Sequence, residues 1–335
     1  MTTRRYILNR RPTGEPDRED FAIETVSVPS LDAGDVAVEV RYVSVDPYMR
    51  GRMRAGDSYA PAWAVGDPIP AGGVGTVTES RHPDWSVGDV VVGQLAWAEH
   101  TVVDGDTLSG VDPSVAALPA WLGVLGLTGR TAYFGMLDVA DPRPGDTVVV
   151  SAAAGAVGSI AGQLASLAGA TVIGIAGSDE KTTALTDTFG FDDAINYRTT
   201  AVDTALADRL EDGVDVYFDN VGGDITDAVF GHLATGARVA VCGQIALYNE
   251  ETVPTGPRKL WQLIEHQASV EGFLVRQFSN RFEEATTRLS RWVEAGTLHH
   301  EQTVVDGFEE IPTAFAGLFE GTNIGKLVVD LAPEA

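Results

Sequence analysis

The sequence predicts an α/β protein in two parts: a β-rich N-terminal region and a doubly wound parallel-sheet region. Three observations carry this. Up to about residue 120, short runs of β-type residues are separated by Gly, Pro and Asp clusters. From Asp146 onward, continuous apolar runs, as suits strands buried on both faces, alternate with helix-compatible segments. The length of 335 residues suits about two domains, each large enough to bury its own core.

The elements follow in order. Asp35-Val-Ala-Val-Glu-Val-Arg-Tyr42 places Val36, Val38, Val40 and Tyr42 on one face of a strand. Further β-type runs lie at 73–77, 90–94 and 98–103, punctuated by Gly66-Asp67-Pro68 and Gly88-Asp89. They predict a small barrel or sandwich with long loops and no helix before about residue 114. Residues 123–137 are helix-compatible. Then come a strand at 147–151, a helix at 156–168, a strand at 171–176 and a helix at 179–189. Further strands are predicted at 214–218, 238–242 and 270–275, and a helix at 281–295. The tail, 303–331, carries a short helix and a strand at 326–331.

Composition excludes several function classes. The 48 acidic residues outnumber the 23 basic ones, for a net charge of −25. Such a surface repels phosphate backbones and anionic lipid, which argues against nucleic-acid and membrane partners. No apolar run approaches the roughly 18 residues of a membrane span. The basic residues are 20 Arg and only 3 Lys, beside 28 Asp. That balance suits a halophilic protein, because concentrated salt screens the self-repulsion. The single Cys242 allows no intramolecular disulfide and no four-thiolate zinc site. With no apolar run behind Arg4 and Arg5, this predicts a cytoplasmic protein.

The most informative segment is Val148-Val-Val-Ser-Ala-Ala-Ala-Gly-Ala-Val-Gly-Ser159. Read as Ala153-x-Gly155-x-x-Gly158, it is a dinucleotide fingerprint with Ala in the first glycine slot. Gly155 lets the backbone approach a pyrophosphate, Gly158 lets helix and strand pack closely, and the helix N-terminus offers N–H groups. The end of the second strand selects the cofactor. NAD sites place an acidic residue there, but this chain reads Ala176-Gly177-Ser178-Asp179-Glu180-Lys181. Lys181 is a cationic partner for a 2′-phosphate, so NADP is favoured over NAD. Asp179 and Glu180 oppose it unless they point into solvent. Among six histidines the only close-spaced pair is His299-His300, so no catalytic metal is expected. There is no G-x-S-x-G elbow and no P-loop to support a hydrolase or kinase.

Several motifs together resemble one family. Leu127-Thr-Gly-Arg-Thr-Ala-Tyr-Phe-Gly135 and the fingerprint resemble the medium-chain dehydrogenase/reductase superfamily. Asp46-Pro-Tyr-Met-Arg-Gly-Arg-Met53, Ala176–Lys181, Tyr217-Phe-Asp-Asn-Val-Gly-Gly223 and Gly321-Thr-Asn-Ile-Gly-Lys326 narrow the match. They are similar to the zinc-independent branch that contains leukotriene B4 12-hydroxydehydrogenase/prostaglandin reductase, plant alkenal reductases and curcumin reductase. The resemblance implies a GroES-like catalytic domain from residues 1–121 and 303–335 and a Rossmann domain from 122–302. It also implies a homodimer and NADPH-dependent reduction of the C=C bond of α,β-unsaturated ketones and aldehydes. Carried over by motif, Gly155, Ala156, Val157 and Gly158 line the pyrophosphate, and Lys181 and Tyr197 hold the 2′-phosphate. Asn220 and the stretch Cys242, Gly243, Gln244, Ile245 to Tyr248 border the ribose region, and Phe273, Leu274, Val275 and Asn323 flank the nicotinamide. Apart from the motif, Arg198 stands beside Tyr197 and is expected to add charge at the phosphate.

An enone acquires negative charge on its carbonyl oxygen as hydride reaches its β-carbon, so a donor aimed at that oxygen lowers the barrier. A phenol is protonated at neutral pH and can serve. Tyr48, Tyr248 and Tyr59 are the catalytic candidates, against the alternative that each is a packing residue with a satisfied hydroxyl. Two other functions compete: an NADPH:quinone reductase on the same fold and a non-catalytic NADPH-binding protein. Loops 54–70 and 246–262 are expected to shape the substrate pocket.

Overall fold

The computed structural model describes residues 1–56, 58–252 and 254–332. Asp57 and Val253, inside the two loops expected to shape the pocket, lie outside the described residues. Two compact units divide the chain. One holds Met1–Leu122, Gln302–Asn323 and the residues from Leu327 onward; the other holds Gly123–Glu301 with Ile324–Lys326.

In the first unit β1 (Thr2–Leu8) pairs antiparallel with β2 (Phe21–Ser27). A second sheet is built on β3 (Asp35–Ser44), whose Val36, Val38 and Val40 are buried as the alternation predicts. β4 (Gly72–Ser80), β5 (Val90–Gln94), β6 (His100–Asp104) and β7 (Ser109–Gly110) extend it. The expectation of no early helix is corrected by α1 (Tyr48–Arg52). Pro47 enters it with φ already at −57°, and five residues are too few to show a helical period in sequence.

In the second unit α2 (Leu127–Phe134) runs into a π-helical segment, Gly135–Ala140. The parallel sheet begins at β8 (Thr147–Ser151), where Val148, Val149 and Val150 are fully buried. There follow α3 (Gly158–Leu167), β9 (Thr171–Ala176), α4 (Asp179–Asp187), β10 (Asp193–Asn196) and α5 (Val202–Arg209). After them come β11 (Val214–Asp219), α6 (Gly223–Phe230), β12 (Leu233–Val241), α7 (Trp261–Glu265), β13 (Ser269–Gly272) and α8 (Phe282–Glu294). The order is β10-β9-β8-β11-β12-β13, with every pairing parallel. That is the doubly wound order of a Rossmann domain, which reverses direction between β8 and β11.

The strand expected at 270–275 is shorter than predicted. β13 ends at Gly272, and the Leu274 N–H turns to the Gln277 side chain at 2.9 Å instead of a neighbouring strand. A helical segment, Val275–Arg281, follows.

The chain then returns to the first unit as β14 (Gln302–Asp306), α9 (Ile311–Glu320) and β15 (Lys326–Asp330). β15 pairs antiparallel with β3. Phe308 stacks on Tyr6 at 5.0 Å, and Phe315 meets the fully buried Trp97 at 5.7 Å, so the tail completes this unit's core. No helix among the described residues is long and apolar enough to cross a membrane.

Candidate active site and cofactor crevice

The fingerprint folds as its spacing requires. Gly158 is the first residue of α3, and a Cβ there would lie 2.4 Å from the Ala152 carbonyl oxygen. Only glycine permits that approach of helix to strand. Gly155, Ala156 and Val157 form the partly exposed turn before the helix. The Gly325 N–H fastens this turn by donating to the Ala154 carbonyl at 2.8 Å. Backbone N–H groups at a helix N-terminus suit a phosphate.

At the end of β9, Ser178 caps α4 by accepting from the Lys181 N–H at 3.3 Å. Tyr197 leaves β10 with its N–H on the Ala176 carbonyl at 3.1 Å, and its ring lies against Gly177. A Cβ on Gly177 would stand 2.9 Å from the Tyr197 hydroxyl, so the glycine admits the ring. Burial pushes the Lys181 ammonium below the ordinary lysine range, and the nearby Arg198 guanidinium adds to that push. The two cations therefore share this corner. Asn196 Nδ2 donates to the Asp179 carboxylate at 2.7 Å, and Glu180 is exposed. These residues fit the 2′-phosphate of NADP: two cations and a phenol stand where an NAD site carries a carboxylate.

At the carboxyl ends of β8 and β11, Asn220 bridges the strands. Its N–H donates to Ser151 Oγ at 2.9 Å and its side-chain amide to the Ser151 carbonyl at 2.7 Å. Its own carbonyl accepts from Ile245 at 3.3 Å. The N–H groups of Cys242 and Gly243 donate to the Asp219 carbonyl at 2.8 and 3.1 Å. The Gln244 N–H donates to the Tyr248 hydroxyl at 3.3 Å, which holds that phenol over its own turn. Burial, with the Asp219 charge adding, pushes the Cys242 thiol up to about 12, so it is a poor nucleophile at neutral pH. Phe273 is buried against Phe218, with ring centroids 6.3 Å apart. Gly135 makes room for it, since a Cβ there would meet the Phe273 ring at 2.3 Å. Leu274 and Val275 are half-buried beside it in sequence.

The second unit thus gathers every expected cofactor residue except Asn323, a buried residue at the end of the first unit's Gln302–Asn323 segment. The tyrosines divide likewise. Tyr48 begins α1 and the exposed Tyr59 lies near enough to perturb it, both in the first unit, whereas Tyr248 belongs to the second. Burial, then Asp46, then Tyr59 push the Tyr48 phenol well above the ordinary tyrosine range, so it holds its proton and can donate. Among the described residues, no group of three or more His, Cys, Asp or Glu is placed to hold a metal ion.

Sequence reasoning missed the hydrogen-bond network that joins Asp219 and Ser151 at the ends of β11 and β8. The available signal was a polar residue closing each of two otherwise apolar strands, Thr147–Ser151 and Val214–Asp219.

Comparison with known proteins matches residues 4–111 to the family described as the N-terminal domain of oxidoreductase and residues 156–291 to zinc-binding dehydrogenase. YfmJ of Bacillus subtilis is 49% identical over 97% of this chain and 96% of its own length. The NADPH-dependent curcumin reductase of Escherichia coli is 38% identical, covering 98% of this chain and 97% of the relative. The 2-alkenal reductase (NADP(+)-dependent) of Nicotiana tabacum is 40% identical over 100% and 99%. The crystal structure of CurA in complex with NADPH from Vibrio vulnificus superposes with a TM-score of 0.93 at 39% identity, covering 99% of this chain and 100% of that one. The chain belongs to the zinc-independent branch of the medium-chain dehydrogenase/reductase superfamily.

Proposed function

We propose that this protein is an NADPH-dependent oxidoreductase that reduces the C=C bond of α,β-unsaturated ketones and aldehydes. The observation that carries the reading is the corner formed by Lys181, Arg198 and Tyr197 at the end of β9, with Asp179 tied back by Asn196. Its charge favours a phosphorylated ribose over a bare one. The relatives support the reaction class, being named for curcumin, alkenal and prostaglandin reduction.

Bound NADPH supplies the hydride that reaches the β-carbon of the enone. The chain's own residues bind and orient. Lys181, Arg198 and Tyr197 hold the 2′-phosphate, and the Gly155–Gly158 turn with the N-terminus of α3 holds the pyrophosphate. Asn220 and the Cys242–Tyr248 turn border the riboses. Phe273, Leu274 and Val275, with Asn323, flank the nicotinamide. A phenol from Tyr48, Tyr248 or Tyr59 donates to the substrate's carbonyl oxygen as negative charge builds there. Burial raises the Tyr48 pKa, so that phenol keeps its proton into the alkaline range and remains a neutral donor. The α-carbon takes its proton from water or from a tyrosine.

The domain assignment inferred from sequence, with residues 122–302 binding the cofactor and the remainder GroES-like, belongs to the same proposal. So do a cytoplasmic setting, a halophilic source and a homodimer pairing through β13, the exposed edge of the parallel sheet. The test of the reaction is substrate competition. Turnover of a 2-alkenal in preference to a small quinone supports the reading. Preference for the quinone replaces it with a quinone reductase, and NADPH binding without turnover of either replaces it with a binding protein.

A further inference from the structure

Asp219 closes β11 with its side chain fully buried, on the strand beside β8, where the sheet order reverses. One carboxylate oxygen, Oδ1, accepts from Tyr217 Oη at 2.9 Å, Ser151 Oγ at 3.1 Å, and the Val221 and Gly222 N–H groups at 2.9 and 3.0 Å. The other, Oδ2, accepts from Thr226 Oγ1 at 2.7 Å. The same residue's carbonyl takes the Cys242 and Gly243 N–H groups. Ser151, bound to Oδ1, accepts in turn from the Asn220 N–H.

A buried carboxylate is tolerated only where donors replace its lost water. Here the replacement donors come from β8, β11, the turn before α6 and α6 itself. We propose that Asp219 is the positioning residue of the cofactor crevice: through hydrogen bonds it makes the ends of β8, β11 and β12 one rigid rim that presents Asn220 and the Cys242–Tyr248 turn to the dinucleotide. This deepens the reading of the site as an NADPH site and rests on it.

The asymmetry between the two oxygens separates hydrogen bonding from charge. In Asp219→Asn the amide oxygen keeps the four donors at Oδ1. The amide NH2 faces Thr226, whose hydroxyl accepts from it and donates to Tyr217 Oη, 3.1 Å away. Most of the network is thus kept without the charge, with the second amide hydrogen left without an acceptor at the Oδ2 position. In Asp219→Ala the five donors to the carboxylate lose it as acceptor, while the backbone carbonyl still takes the Cys242 and Gly243 N–H groups.

The experiment titrates the full-length protein with NADPH by fluorescence, alongside thermal melts. Asp219→Ala is expected to bind at least about tenfold more weakly than wild type, and Asp219→Asn within about threefold of it. Wild-type affinity in a folded Asp219→Ala overturns the proposal, as does equal loss in both variants. Should Asp219→Ala not fold, Ser151→Ala carries the test, because it orphans the Asn220 N–H; unchanged NADPH affinity there overturns it. A second readout needs no cofactor. Cys242 is the only cysteine, so its iodoacetamide labelling reports the rim directly. Faster labelling in Asp219→Ala supports the proposal, and an unchanged rate contradicts it. If wild type binds no NADPH, the functional reading fails while the labelling still decides the role of Asp219.

Discussion

The side-chain amide of Asn196 donates to the Asp179 carboxylate at 2.7 Å, tying the end of β10 to the start of α4. In sequence, Asp179 looked hostile to a phosphate because it lies two residues before Lys181. The hydrogen bond engages that carboxylate locally, while Ser178 caps the helix and Lys181 packs into a half-buried place near Arg198. The Asp179 carboxylate, in the first turn of α4, is thereby held to the end of β10.

Lys181 should decide cofactor choice. A charge-assisted hydrogen bond contributes about 1.5–3 kcal/mol, so Lys181→Gln is expected to lower kcat/KM for NADPH roughly 10- to 100-fold and to leave NADH nearly unchanged. The lowered pKa adds a pH signature. Binding of the phosphate favours the ammonium, so affinity for NADPH is full below the free protein's Lys181 pKa and falls as pH rises through it. Binding in that window takes up a proton. Calorimetry in two buffers of different ionisation enthalpy measures the uptake, which Lys181→Gln should abolish.

The phenols are tested by Tyr48→Phe, Tyr248→Phe and Tyr59→Phe. Removing the donor to a developing oxyanion costs roughly 10²- to 10³-fold in kcat. The loss is expected in kcat more than in KM, and largest for Tyr48 or Tyr248, since Tyr59 is half exposed. Wild-type kcat/KM in all three variants would remove the phenol from the mechanism.

Gly135 and Phe273 make a packing prediction. Gly135→Ala puts a methyl group where the Phe273 ring now lies, and overpacking of this kind costs about 1–3 kcal/mol. The expected result is a lower melting temperature together with a raised KM for NADPH, because the displaced ring belongs to the proposed nicotinamide flank. A lower melting temperature with unchanged KM would separate Phe273 from the cofactor.

Charge and association are read by two solution measurements. With a net charge of −25, stability should rise from dilute buffer to molar KCl as self-repulsion is screened; full stability in dilute buffer argues against a halophilic design. Val270 lies on the exposed β13, so the proposed dimer through that edge predicts a dimer for the wild type and a monomer for Val270→Asp in sedimentation.

The parallel sheet was legible because buried strands advertise themselves as apolar runs. Thr147–Ser151 and Thr171–Ala176 lie where the pattern placed them. β13 was not, because its end is set by the Gln277 side chain capturing the Leu274 N–H, a contact that leaves no mark on apolar periodicity. The short α1 was hidden for the same reason, being governed by Pro47 rather than by an amphipathic repeat. In the candidate site, spacing and charge are what single out the glycines and Lys181 for the proposed cofactor roles. The Asp219 network could not, since its five donors come from Ser151, Tyr217, Val221, Gly222 and Thr226, which converge only after β8 and β11 pair.

The most direct measurement follows NADPH oxidation by its absorbance with a simple aliphatic enone as substrate, in molar KCl, with NADH in parallel. The account predicts turnover with NADPH, little with NADH, and a saturated ketone as product. Reduction of the carbonyl to an allylic alcohol, or equal rates with the two cofactors, would contradict it.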